Sequence, residues 1–210
     1  MKIALKSMLA AAAVLTAIAA VSAGALALTY LGTRDRIVQS EHERLLRQLN
    51  ALVPAGRYNN DLAQDRLTLR IPELDARDPV TVYRARQSGN PVAAILTAVA
   101  PDGYSGDIRL LIGIEADGRL AGVRVLEHRE TPGLGDKIDL DRADWILSFD
   151  GRSLSDPLPA QWTVRKDGGV FDQFAGATIT PRAVVKAVRR ALEYFRQNQA
   201  ALFEPLSTAP

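Results

Sequence analysis

The sequence predicts an α+β protein: a single N-terminal transmembrane helix followed by one domain with a mainly antiparallel sheet and flanking helices. Three observations carry this. The chain of 210 residues opens on an uncharged run of 27 residues, 7–33. Its middle holds β-rich arms separated by a turn signal, and an amphipathic helical stripe lies near its end.

The apolar run justifies the first element. Residues 8–32 are mostly Ala, Leu, Val and Ile with scattered Thr, Ser and Gly, besides Met8 and Tyr30, and as a helix they reach roughly 37 Å, more than the ~30 Å hydrocarbon core. Lys2 and Lys6 precede the run and no acid does. The positive-inside rule therefore places the N-terminus in the cytoplasm and the domain outside the cytoplasmic membrane. Ala23-Gly24-Ala25 and Ala25-Leu26-Ala27 are also small-residue patterns that a signal peptidase accepts, so a retained anchor and a cleaved signal peptide both stand. Both deliver the domain to the same compartment.

Residues 35–53 carry Ile37, Val38, Leu45, Leu46, Leu49, Leu52 and Val53 among charges, an approximate helical stripe that Pro54-Ala55-Gly56 ends. Residues 58–79 are polar and weakly patterned. Residues 80–86 read as a strand and 91–100 as a more buried one. Residues 107–114 and 119–128 are strand-like arms joined by the turn signal Glu115-Ala116-Asp117-Gly118. Three or four antiparallel strands follow from this. Residues 136–149 suit a short helix, 162–166 a further strand, and 181–197 a helix with Val184, Val185, Val188, Leu192 and Phe195 on one side. The chain thus divides into 1–33 as cytoplasmic N-terminus and anchor, 34–79 as membrane-proximal helix and connection, and 80–210 as the functional domain.

Composition removes several function classes. Lys and Arg total 26 against 24 Asp and Glu, and without Lys2 and Lys6 the remainder balances. The pI of 9.0 is largely a targeting signal and gives no support to nucleic-acid binding. Cys is absent and His occurs twice, which excludes disulfides, thiol catalysis, iron–sulfur ligation and a Cys/His zinc site within this chain. The remaining chemistry uses oxygen ligands, hydroxyls or a borrowed cofactor, and no metal site or catalytic residue is assigned.

The informative segment is Asp172-Gln173-Phe174-Ala175-Gly176-Ala177-Thr178-Ile179-Thr180, followed by Pro181 and the last helix. Thr180 suits an N-cap and Pro181 the first helical position, so Ala175, Gly176, Ala177 and Thr178 form a small-residue approach to a helix N-terminus. Such an end presents free N–H groups and partial positive charge, and holds a phosphate without any lysine. Physics alone leaves a second reading open, a Thr-capped helix after a tight turn.

The segment resembles the flavinylation motif of the FMN-binding domain shared by the G subunit of the Rnf (Rsx) electron-transport complex and the C subunit of the sodium-translocating NADH:quinone reductase. That pattern is Asp, two variable residues, a small residue, Gly, Ala, then Thr or Ser. In that family a flavin transferase joins the FMN phosphate to the final hydroxyl as a phosphodiester. Carried over, the resemblance makes Asp172 the motif aspartate, Gly176 and Ala177 the Gly-Ala pair, and Thr178 the acceptor of covalent FMN, with Thr180 left as the cap. Ala175 stands where Ser or Thr is usual.

Upstream, Glu130-Thr131-Pro132-Gly133-Leu134-Gly135 looks like the ETPGLG loop of the same domain, and Gly103-Tyr104-Ser105-Gly106 is similar to the family's entry into the central hairpin. Pro-Gly marks a turn with positive φ at Gly133. The resemblance adds Glu130, Thr131, Gly133, Leu134 and Gly135 to the FMN-binding residues. The short chain, single anchor and wording of the motif resemble the Rnf G subunit more than the C subunit. The implied protein is an electron-transfer subunit, not catalytic alone, in a redox-driven ion-translocating complex of ferredoxin/NAD type. Its partners are the other membrane subunits and a flavin transferase, and its place is the bacterial inner membrane with the domain on the periplasmic side. The alternative from another class is a flavin-free envelope binding or assembly domain. His128, Trp145, Trp162 and Lys166 could also face a flavin, although ordinary solvated or core positions explain each; His42 reads as solvated.

Overall fold

The structure is a computed structural model that describes residues 2–204. The first helix, α1 (Lys2–Asn50), contains a stretch Ala12–Arg34 of mean hydropathy 2.0, long and apolar enough to cross a membrane. The side chains of Lys2, Lys6, Leu31, Ile37 and Val38, and residues 205–210, lie outside the described residues. Contacts divide the chain after Leu45, so the apolar helix and the domain from Leu46 onward are separate units.

The domain is built on a five-stranded meander, β1 (Arg66–Leu69), β2 (Val80–Gln87), β3 (Asn90–Gly103), β4 (Gly106–Glu115) and β5 (Leu120–Glu127). Neighbours in sequence are neighbours in the sheet, and every pair is antiparallel. The sheet therefore holds five strands rather than three or four. The extra one, β1, falls in the segment 58–79, where four residues alternating exposed and half-buried leave too short a pattern to read. It ties part of the connecting stretch before β2 into the sheet.

Strand alternation sends Leu96, Ala98, Leu110 and Ile112 to one face, where the last helix, α2 (Ile179–Leu202), buries Val184, Val188, Leu192 and Phe195. Each of these fully buried side chains contributes roughly 1.5–3 kcal/mol. Phe149, Trp162 and Phe171 stack beside this core, with Phe149 and Phe171 ring centroids 4.6 Å apart. On the other face, paired Gly113 and Gly122 form a notch. A Cβ at either would lie 3.2 Å and 3.0 Å from Leu52. Leu49, in the last turn of α1, and Leu52 and Val53 just beyond it are buried, and Leu52 sits where the sheet has no side chains.

Two connecting segments differ from expectation. Residues 136–149 form two short 3-10 helices, Gly135–Ile138 and Asp144–Phe149, rather than one helix. Residues 162–166 form no strand: Val164 makes one isolated bridge to Phe171, and the chain turns at Arg165–Asp167. In both, isolated large apolar residues seat into the core without a sustained period.

The far end of α2 is held by arginines from β2. Arg84 is only 2% exposed, donates to Asp65 Oδ1 at 2.6 Å through Nε, and reaches the Glu204 carbonyl at 2.7 Å. Arg86 donates to Asp65 Oδ2 at 3.0 Å and to the Phe203 carbonyl at 2.9 Å. Asp65→Ala leaves a buried guanidinium without its counter-charge and should destabilise the domain by about 3 kcal/mol in urea unfolding. A loss under about 1 kcal/mol would show that the carbonyl contacts alone hold Arg84.

Candidate functional site

The three sequence motifs, far apart along the chain, converge on one cavity of about 310 Å³ at the N-terminus of α2. Tyr104 comes from the β3–β4 turn. Glu130, Thr131, Leu134 and Gly135 come from the loop after β5, and Gly176, Ala177 and Thr180 from the approach to α2.

Each segment folds by short-range rules. Thr131 to Leu134 form a turn closed by the Leu134 N–H on the Thr131 carbonyl at 3.1 Å, with Pro132 second and Gly133 third at φ +78. This is the Pro-Gly arrangement of a type II turn. The same logic governs Phe174 to Ala177, closed at 3.1 Å, with Gly176 third at φ +79. Leu134 is 42% exposed and reaches toward Gly176, where an added Cβ would lie 3.5 Å from Leu134 Cδ2.

Glu130 joins the segments. The residue is 4% exposed, and its carboxylate accepts the Ser105 N–H at 2.8 Å on Oε1 and the Thr180 hydroxyl on Oε2. Its own N–H is accepted by His128 Nδ1 at 3.1 Å, so His128 acts through Glu130 and does not line the cavity. Gly135 is required by close approach: a Cβ there would stand 2.9 Å from Glu130 Cβ, Glu130 Oε2 and Thr180 Oγ. At Gly103 a Cβ would overlap the Gly106 carbonyl, which explains why the first of the glycines bracketing Tyr104 and Ser105 carries no side chain.

The helix begins earlier than the motif suggests. Thr178, not Thr180, is the N-cap residue, and its side chain makes no capping hydrogen bond. Thr180 is the second helical residue, completely buried, with its hydroxyl committed to Glu130. Pro181 occupies the third helical position, where a missing N–H costs nothing because first-turn donors have no intrahelical partner. Thr178 is half-buried with its hydroxyl unused by the cap; it does not itself line the cavity but stands in the chain between Ala177 and Thr180, which do.

Asp172 stands apart. It is exposed, pairs with Arg165 at 3.1 Å, and its carbonyl accepts the Trp145 indole N–H at 2.8 Å. Trp145 packs edge-on against Phe149 and Phe174, with centroids 5.4 and 5.2 Å away, so it supports the motif from behind. Trp162 is core and Lys166 is exposed outside the lining. Gly133 also lies outside the lining and shapes the turn. Two ion pairs brace the start of α2. Arg182 hydrogen-bonded to Asp167, and Lys186 to Asp102, hold both carboxyls below the usual carboxylate range. Tyr104 and Ser105 also belong to the site; sequence reasoning matched that turn but assigned it no role at the flavin.

A larger open groove of about 500 Å³, lined by Arg119, Ser155, Leu158 and Arg196 among others, lies toward the other end of α2 and contains no motif residue. The motif cavity has the features a phosphorylated flat ring requires: exposed apolar Tyr104 and Leu134, glycines permitting close approach, and a helix N-terminus for an anion. The residues present therefore fit FMN.

Fold and site together define an FMN-binding domain behind an apolar helix, and the FMN-binding domain family matches residues 103–193. The RnfG N-terminal region matches residues 1–52. The G subunit of the ion-translocating oxidoreductase complex of Pseudomonas aeruginosa is 49% identical over 205 residues, covering 97% of this chain and 96% of the relative. Its counterpart in Vibrio atlanticus is 48% identical over 195 residues, covering 92% and 93%, and that of Shewanella baltica 50% identical over 172 residues, covering 81% of each. The chain belongs to the G-subunit family of ion-translocating (Rnf) oxidoreductase complexes.

The two loop glycines should separate by mechanism. Gly135→Ala forces a Cβ against Glu130 and Thr180 and should cost about 1–3 kcal/mol by thermal unfolding. Gly133→Ala meets no neighbour and carries only the strain of positive φ, about 1–2 kcal/mol. If Gly135→Ala proves the milder of the two in melting temperature, the close packing of the loop on α2 is misassigned.

Proposed function

We propose that this chain is the flavin-carrying electron-relay subunit of a membrane-bound, redox-driven ion-translocating complex of ferredoxin/NAD type, with one FMN linked through a phosphodiester to Thr178. The observation that carries the reading is a threonine hydroxyl at the N-cap of α2, free of any capping bond, directly after Gly176 and Ala177, which line a cavity made from three separated motifs. FMN supplies the redox chemistry when bound, exchanging electrons one or two at a time.

The chain's residues hold and aim. In attachment, Thr178 Oγ would be the acceptor: a flavin transferase would join an activated FMN phosphate to it as a phosphodiester, the hydroxyl proton passing to a base of the transferase as the activating group leaves the phosphorus. Asp172, exposed and outside the cavity, suits contact with the transferase more than with the flavin. A phosphodiester on Thr178 would keep one negative charge at the helix N-terminus, worth roughly 0.3–2 kcal/mol, so the covalent bond rather than the dipole would account for retention. Tyr104, Leu134 and Gly176 offer the cavity surface, and Thr131, Gly133 and Gly135 set the loop path that holds Leu134 over it.

The reading extends to place and partners. Residues 1–33 are the cytoplasmic N-terminus and inner-membrane anchor, 34–79 a membrane-proximal segment, and 80–210 the flavin domain on the periplasmic side, where tethering keeps a scarce cofactor from diffusing away. The other subunits of the complex supply donor and acceptor.

Co-expression with the flavin transferase should give a protein fluorescent in denaturing gels. Thr178→Ala should abolish the signal with the fold intact by circular dichroism. A fluorescent Thr178→Ala protein, or a colourless wild type in the presence of transferase, would overturn the assignment. For topology, a reporter active only outside the cytoplasm, fused after Pro210, should be active, and activity of a cytoplasm-only reporter at the same junction would reverse the orientation.

A further inference from the structure

We propose that Glu130 is kept as a buried, ionised carboxylate in the wall of the flavin cavity, where its charge lowers the flavin's reduction potential, and that Thr180 is the positioning residue that keeps it there. This rests on the reading that the cavity holds FMN.

The argument begins from the donors. Both Glu130 oxygens are acceptors, one from the Ser105 N–H at 2.8 Å and one from the Thr180 hydroxyl. Neither contact requires a proton on Glu130, so the carboxylate form satisfies both donors. Among the described residues no lysine or arginine forms an ion pair with it, although it is 4% exposed. Two dipolar donors hold the charge without cancelling it.

Its surroundings keep the carboxylate fixed. Cβ atoms at Gly135 and Gly103 would stand 2.9 Å and 3.1 Å from its oxygens, so both neighbouring segments close directly on it. Glu130 and Thr180 both line the cavity. A buried charge is poorly screened by salt and acts strongly on a neighbour in the same low-dielectric space. Each electron taken up adds negative charge to that space, so a fixed carboxylate favours the oxidised flavin. Thr180 is wholly buried, and its hydroxyl donates to Glu130.

The test uses full-length protein flavinylated by co-expression, with potentials read by spectroelectrochemical titration at neutral pH. Glu130→Gln keeps the size and one acceptor but removes the charge, and should raise the potential. Thr180→Val should raise it too, and Thr180→Ser should restore the wild-type value. A readout without flavin is the ¹³C shift of the Glu130 carboxyl in Thr178→Ala protein, expected to be that of a carboxylate. Equal potentials for wild type and Glu130→Gln, or a protonated Glu130 signal at neutral pH, would overturn the proposal. So would a folded Glu130→Gln protein that takes up no flavin, which would place Glu130 in attachment instead. A wild type that carries no flavin would overturn the functional reading as well, which distinguishes that failure from this one.

Discussion

The site depends on one buried carboxylate. Glu130 receives the β3–β4 turn through Ser105 and the first turn of α2 through Thr180, and so fastens three pieces of chain that lie far apart in sequence. Hydrogen bonds to a charged group contribute about 1.5–3 kcal/mol each, whereas losing a donor to a buried charge costs more than the bond is worth. That nothing larger than glycine stands at position 135 follows from this close packing, since a Cβ there would lie 2.9 Å from Glu130, whereas at position 103 the Gly106 carbonyl excludes a side chain first.

The same helix is fixed at its other end by the opposite sign of charge. Arg84 and Arg86 reach the carbonyls of Glu204 and Phe203, where α2 runs out and its acceptors have no intrahelical donors. Between the two ends Val184, Val188, Leu192 and Phe195 lie on the sheet. The helix is therefore a beam clamped at both ends, and the Thr178 N-cap stands at a place the fold determines. Apolar packing along the beam supplies the energy, while the two polar clamps decide which residues face the cavity.

Much of this was legible in the sequence, for physical reasons that can be named. The β2–β5 strands and α2 announce themselves by sustained period, and Pro132-Gly133 dictated a turn whose φ is +78 at the glycine. The small-residue segment before α2 and the loop after β5 were readable through resemblance, and residues of both line one cavity. What stayed hidden lacked a local signal. Strand β1 is four residues long and is held by pairing with β2, not by its own pattern. The segments 136–149 and 162–166 carry apolar residues without a period, and tertiary contact with Phe149 and Phe171 chose irregular turns for them. Thr180 looked like the cap because Pro181 follows it. The helix instead starts at Ile179, since the buried bond to Glu130, 50 residues away, outweighs a local capping preference.

On the proposed reading the flavin lies in the motif cavity and not in the larger groove near Arg119 and Arg196. Backbone amide shifts of the flavinylated domain compared with the Thr178→Ala protein test this most directly. The largest changes should fall on Tyr104, Ser105, Leu134, Gly135 and Gly176, with Arg119 and Arg196 unmoved. Changes gathered around Ser153 to Pro159 and the second half of α2, with Leu134 and Gly176 silent, would contradict it.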